Sequence, residues 1–122
     1  MARNRRAIEG AGRRAEFFAA LWLIGKCYRI LGRRVRTPVG ELDLVARSPS
    51  GIICFVEVKA RPREDQAAEA INARQRERIS RAAELYLGAR PRLRHNGVRF
   101  DAIYIAAGRL PRHVKDAWRP GW

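Results

Sequence analysis

Residues 40–60 read GELDLVARSPSGIICFVEVKA. Two β-rich runs, 40–47 and 51–60, flank a polar Pro49-Ser50-Gly51 connection, which is the pattern of a hairpin. With glycine at the left-handed position of a three-residue loop, Ser48 faces Ile52 across the ladder. Counting back from the turn, Asp43 then faces Glu57, and Glu41 faces Lys59. A loop one residue longer would send Asp43 and Glu57 to opposite sides, because side chains alternate along a strand.

In this register one face carries Glu41, Asp43, Val45, Ile53, Phe55, Glu57 and Lys59. The other carries Leu42, Leu44, Ala46, Ile52, Cys54, Val56 and Val58, with no polar group. The apolar face must pack on a helix. The first face is apolar near the turn and charged at its far end, so both strands are expected to be central. Carboxylates directly opposed across a ladder stand about 4.5–5.5 Å apart at Cβ and repel each other. A divalent cation would offset that repulsion, since Mg²⁺ accepts one or two carboxylates and keeps waters. The Val58 carbonyl could add an oxygen. A buried arginine between the two acids, beside a Glu41–Lys59 ion pair, is the structural alternative.

Working outward, residues 13–24 form an apolar helix, with Gly25 as its stop. Glu16 opens its apolar run, placed either to reach the charged end of the sheet or to favour the helix's own N-terminus. Residues 1–12 are basic and glycine-bearing, an expected flexible arm. Residues 27–36 read as a strand bulged near Gly32, and Thr37-Pro38 as a turn. A polar loop from Arg61 and a short helical piece precede a longer helix. Asn72 and Gln75 fit a capping box for that helix, and Ile79, Ala82, Ala83 and Tyr86 form its stripe. A basic loop follows at 88–97, then a strand at 98–106. Residues 109–122 form a tail, a candidate edge strand with a loose tryptophan-bearing end. The order is α-β-β-β-α-β, an α/β fold whose central mixed sheet is flanked by helices, in one domain over 13–108.

Lysine and arginine total 26 against 12 acids, a net charge of +14, nearly all of it arginine. Arginine grips phosphate bidentately, and such a field gathers polyanions. A coding bias towards arginine would give the same count. Cys27 and Cys54 lack metal-ligand spacing and read as buried thiols of a reducing compartment. No apolar run approaches the ~20 residues of a membrane span. Arg13, Arg14 and Glu16 interrupt any signal-peptide core, so a cytoplasmic protein is expected. No GxxxxGK[ST] run suggests nucleotide-driven work. His95 and His113 lie in basic segments expected to be exposed, and neither is assigned a role.

Asp43 followed by Glu57-Val58-Lys59 across a hairpin resembles the PD-(D/E)XK nuclease signature. The wider set GAGRRAEFFAALWL, GELDLVA, FVEVKAR, RAAELYL and VRFDAIYI is similar to the YraN family, from about Gly10 to Ile105. That family has a restriction-endonuclease-like fold related to Holliday-junction resolvases. The resemblance implies that Asp43 and Glu57 bind Mg²⁺ or Mn²⁺ and that Lys59 orients the attacking water. It makes Glu16 the additional helix acid, with Glu41 and Asp101 in support. Arg74 stands where the family usually has lysine, and Arg33-Arg34 where asparagine was expected. The function expected is metal-dependent hydrolysis of a nucleic-acid phosphodiester, DNA ahead of RNA and structure-selective. Arg13, Arg14, Arg33, Arg34, Arg36, Arg61 and Arg74 would grip phosphates, and a homodimer like that of the resolvases is left open. The alternatives are a non-catalytic nucleic-acid-binding module with a vestigial site, and an interaction protein for an acidic partner.

Overall fold

The computed structural model describes the backbone of residues 2–61 and 71–120. Side chains are described from Gly12 to Ala60 and from Ile71 on, except at 94 and 95. Helix α1 spans Ala2–Gly25, strands β1, β2 and β3 span Arg29–Thr37, Gly40–Arg47 and Ile53–Arg61, and helix α2 spans Ala73–Gly88. A 3₁₀ turn at Pro91–Asn96 leads into β4 (Val98–Ala106), and β5 (Arg112–Trp118) closes the chain. The polar loop and short helical piece expected between Arg61 and Asn72 lie outside the described residues.

The five strands lie side by side in chain order. β3 and β4 run parallel through the α2 crossover, and the other neighbours are antiparallel. The sheet is therefore mixed, with β3 at its centre, and the Ile53–Val56 stretch is buried on both faces. The Asn72–Gln75 capping box forms, each side chain bonding the other residue's backbone N–H. The expected stripe of Ile79, Ala82, Ala83 and Tyr86 packs with Val45, Ile53 and Phe55 on one face. On the other, Ala19, Ala20 and Leu23 of α1 meet Leu44, Ala46, Cys54, Val56 and Ile103. Small alanines bring α1 close to the sheet, which leaves Phe17, Phe18, Leu21 and Ile24 on its exposed side.

The turn expected at 49–51 forms. Gly51 has φ +90°, its N–H bonds the Ser48 carbonyl at 2.9 Å, and the Ser48 N–H bonds the Ile52 carbonyl at 2.8 Å. Val45 then faces Phe55 and Leu44 faces Val56, as the loop length requires. The bulge also falls where expected, between Ile30 and Gly32.

Several expectations are corrected. Residues 2–12, read as an arm, are helical and continue α1 backwards, since alanine and arginine are good helix formers that offset Gly10 and Gly12. Leu42, expected beside Leu44, packs instead with Val35 on the α2 side. The strand turns over at Asp43, across from Arg34, whose left-handed backbone (φ 51°) interrupts regular alternation on β1. Cys27 is exposed rather than buried, because it takes the left-handed position (φ 68°) that ends α1, and Tyr28 turns inward. The tail forms the edge strand β5, but Trp118 is buried against Phe100, not loose.

Candidate functional site

The β2–β3 ladder stops at Leu44↔Val56, one residue short of Asp43 and Glu57. Had it continued, the Val58 amide and carbonyl would both have met Leu42, since the two groups of one strand residue point to the same neighbour. The Val58 N–H instead donates to the Asp43 carboxylate at 2.9 Å. A side chain thus takes the place of a ladder rung, and the strands part where the acids sit. The Val58 carbonyl faces the same opening.

Asp43 and Glu57 do come together. Their carboxyl groups lie close enough for each to act on the other's ionisation. Glu57 is 8% exposed. Burial pushes it up to about 8, the Asp43 charge adds to this, and Lys59 and Arg78 pull the other way. Burial raises Asp43 as well, opposed by the Val58 amide. Both carboxyls are therefore held in surroundings that penalise their charge. Lys59 Nζ stands 3.8 Å from the Glu57 carboxylate.

Glu16 approaches from α1, within electrostatic range of Asp43. It is 8% exposed, and burial and then the Asp43 charge raise it to about 7. Arg34 approaches it at 3.4 Å, yet its Oε2 has no hydrogen bond among the described residues. The helix acid is thus aimed at the charged end of the sheet, the first of the two placements open to it. Glu41 lies close enough to raise both Glu16 and Asp43. It is aligned with Arg36 of β1 and pairs with it at 3.6 Å, so the Glu41–Lys59 pairing does not form.

No arginine hydrogen bond clamps the two acids together among the described residues. Arg78 was missed in the sequence. It acts on Glu57 from α2, and its stem crosses Gly40, where an added Cβ would come within 3.0 Å of its Cδ. The glycine opening GELDL was the available signal, since it lets a helix side chain pass close over the strand. Arg33, Arg34 and Arg36 are exposed along the edge strand β1, next to the acids; Arg13, Arg14 and Arg74 are exposed on the helices. The Arg61 side chain lies outside the described residues.

Asp101 does not belong to this cluster. It is fully buried in β4, where it accepts two bonds from Arg99, one from His113 at 2.8 Å and one from the Asp116 amide at 3.0 Å. Burial alone would raise it, but these donors outweigh burial and hold it down to about 2. Arg99 also reaches the Tyr28 hydroxyl, and Lys26 meets His113 Nδ1 at 2.7 Å, so the network ties the end of α1 to β4 and β5. His113, expected to be exposed, has a buried side chain because β5 lays it over Asp101. The His95 side chain lies outside the described residues.

Two hard-oxygen acids whose ionised form burial disfavours, with a backbone carbonyl facing the same opening, make a donor set that fits Mg²⁺ or Mn²⁺. Among the described residues, no three acidic, histidine or cysteine side chains already converge on one point.

Fold and site together define an α/β protein with a buried carboxylate pair and a lysine where its central hairpin opens. More particularly, the chain belongs to the family described as Uncharacterised protein family UPF0102, whose model matches residues 15–105. That span takes in Glu16, Asp43, Glu57, Lys59 and Asp101. The chain is similar to a UPF0102 protein of Maricaulis maris, 46% identical over 121 residues, 99% of this chain and 94% of that protein. It is 47% identical over 121 residues to one of Paramagnetospirillum magneticum, covering 96% of this chain and 93% of that protein. Against one of Nitrobacter winogradskyi it is 51% identical over 108 residues, covering 88% and 91%. No helix among the described residues is long and apolar enough to cross a membrane.

Proposed function

We propose that this chain is a metal-dependent nuclease of the PD-(D/E)XK type, in the YraN branch related to Holliday-junction resolvases. What carries the reading is the meeting of Asp43 and Glu57 where the β2–β3 ladder opens, with Lys59 on the same strand. Asp43, Glu57 and the Val58 carbonyl would hold Mg²⁺ or Mn²⁺. When bound, that ion supplies Lewis-acid polarisation of the phosphoryl group and a water of lowered pKa.

The chain's own groups do the rest. Asp43 is fixed by the Val58 amide, so its second oxygen is presented in a set direction. Lys59 places a positive charge beside Glu57, where it orients the attacking water and steadies negative charge building on the phosphorus centre. Glu16, raised to about 7, is suited to exchange a proton near neutral pH. Arg33, Arg34 and Arg36 line β1 as a phosphate track. They offer backbone contacts without a base-reading pattern, which favours recognition of nucleic-acid shape. DNA is preferred over RNA on the resolvase relationship, and the free thiols Cys27 and Cys54 suit a cytoplasmic setting.

A binding module with a vestigial site is the second reading, favoured by the lack of a converged three-residue cluster among the described residues. Cleavage assays on duplex, single-stranded and four-way-junction substrates with Mn²⁺ decide between them. Cutting that is lost in Asp43→Ala and Glu57→Ala while binding is kept supports the nuclease. Cutting retained by both variants refutes the site, and binding without any cutting supports the module.

A further inference from the structure

Of its apolar residues, α1 turns Ala19, Ala20 and Leu23 to the sheet. It leaves Phe17, Phe18, Leu21 and Ile24 outside, each 47% to 54% exposed. Both phenylalanines, the residues with most to gain from burial, thus stand in solvent. A helix shaped by folding alone puts its large apolar residues inside, so these rings answer to something other than the core. Contiguous exposed apolar surface of this kind marks a binding face.

The charges around the rings fix the partner. Phe17 and Phe18 meet edge to face, with centroids 5.9 Å apart and planes at 67°, which leaves ring faces available. The Arg33 guanidinium of β1 lies 5.8 Å over the Phe17 ring. Arg13 and Arg14, both exposed, stand one helical turn before Phe17 and Phe18. Each ring is therefore accompanied by arginine. The next residue of β1, Arg34, reaches Glu16 at 3.4 Å, and Glu16 directly precedes Phe17, so the rings adjoin the acid site. A single nucleic-acid strand repeats an anion and a flat ring in every unit, which matches this pairing of arginine with phenylalanine. A duplex keeps its base faces stacked inside, and an anionic lipid surface offers the charge without the ring.

We infer that Phe17 and Phe18 form a stacking platform for unpaired bases of a nucleic-acid strand whose phosphates are held by Arg33 and Arg34. This rests on the nucleic-acid reading above and narrows its substrate: a strand with unpaired bases beside the phosphate at the acid site, as in single-stranded or branched nucleic acid, is preferred to plain duplex.

Binding of the full chain to labelled oligothymidine and to an abasic strand of equal length, measured by fluorescence anisotropy in EDTA, separates bases from phosphates. The parent should hold the oligothymidine about tenfold more tightly than the abasic strand, the scale of one base stacked on an aromatic ring. Phe17→Leu with Phe18→Leu keeps an apolar helix surface and removes the rings. It should erase most of that preference and leave abasic binding unchanged. Phe18→Trp, with a larger ring, should widen the preference and decides the matter if the leucine pair unfolds. Equal binding of the two strands by the parent, or a preference that survives in the leucine pair, overturns the inference. So does a parent dimer in sedimentation that Phe17→Ser with Phe18→Ser dissociates, which would assign the face to a second copy of the chain. Because EDTA removes the metal, the two readings fail separately. Cutting without a base preference refutes the platform alone, and a base preference without cutting refutes the nuclease alone.

Discussion

Replacing Glu57 by glutamine in the metal-free protein should make it more stable. The folded chain holds Glu57 up at about 8, against 4.5 for the free side chain. At pH 7 an acid of this kind must take up a proton on folding. At about 1.4 kcal/mol per pH unit this costs about 3 kcal/mol. Glutamine mimics the protonated carboxyl: it is neutral, matches its size, and carries N–H donors that can face Asp43. Allowing for imperfect geometry, the gain is about 1–3 kcal/mol, or about 4–12 °C in Tm for a chain of this size.

The sign depends on pH. A carboxyl with a raised pKa costs nothing below its unfolded value, where both states are protonated, and costs progressively more as pH rises towards its folded value. The advantage of Glu57→Gln should therefore vanish near pH 4.5, grow through neutrality and level off above about pH 8. Thermal unfolding with EDTA at pH 4.5, 7 and 9 measures it. A variant less stable than the parent at pH 7 would mean that Lys59 and Arg78 hold Glu57 as a structural ion pair, and the repulsive site would be refuted.

Asp101→Asn should act in the opposite sense, costing about 3 kcal/mol because Arg99 and His113 lose their buried anion, as read by urea unfolding at pH 7. Since Asp101 sits at about 2, the parent should lose about 2–3 kcal/mol as pH falls from 3.8 towards 2, and the variant should lack this acid limb. Gly51→Ala puts a Cβ against the Asn96 amide at a φ of +90° and should cost about 1–3 kcal/mol by the same unfolding measurement. Changing Arg33, Arg34 and Arg36 together to glutamine should weaken duplex binding and flatten its dependence on log salt by about 2–3, measured by fluorescence anisotropy.

The hairpin could be read from residues 49–51 because a short loop fixes register by local geometry, and register decides which side chains meet. Asp43 and Glu57 followed from it. The capping box at Asn72 was legible for the same reason, since all its partners lie within one turn of helix. What escaped depended on partners distant in the chain. Leu42 changes side because of the Arg34 backbone on the neighbouring strand, which no pattern within 40–47 reports. His113 and Trp118 look like tail residues until β5 pairs with β4 and sets them against Asp101 and Phe100. Arg78 touches the site through Gly40, a contact between elements nearly forty positions apart.

Calorimetric titration of Mn²⁺ into the purified protein probes the central idea most directly. The parent chain should show saturable binding that Asp43→Ala abolishes, with α2 and the sheet still folded by circular dichroism. No heat of binding in the parent, or undiminished binding in Asp43→Ala, would contradict a cation site at the opened end of the hairpin.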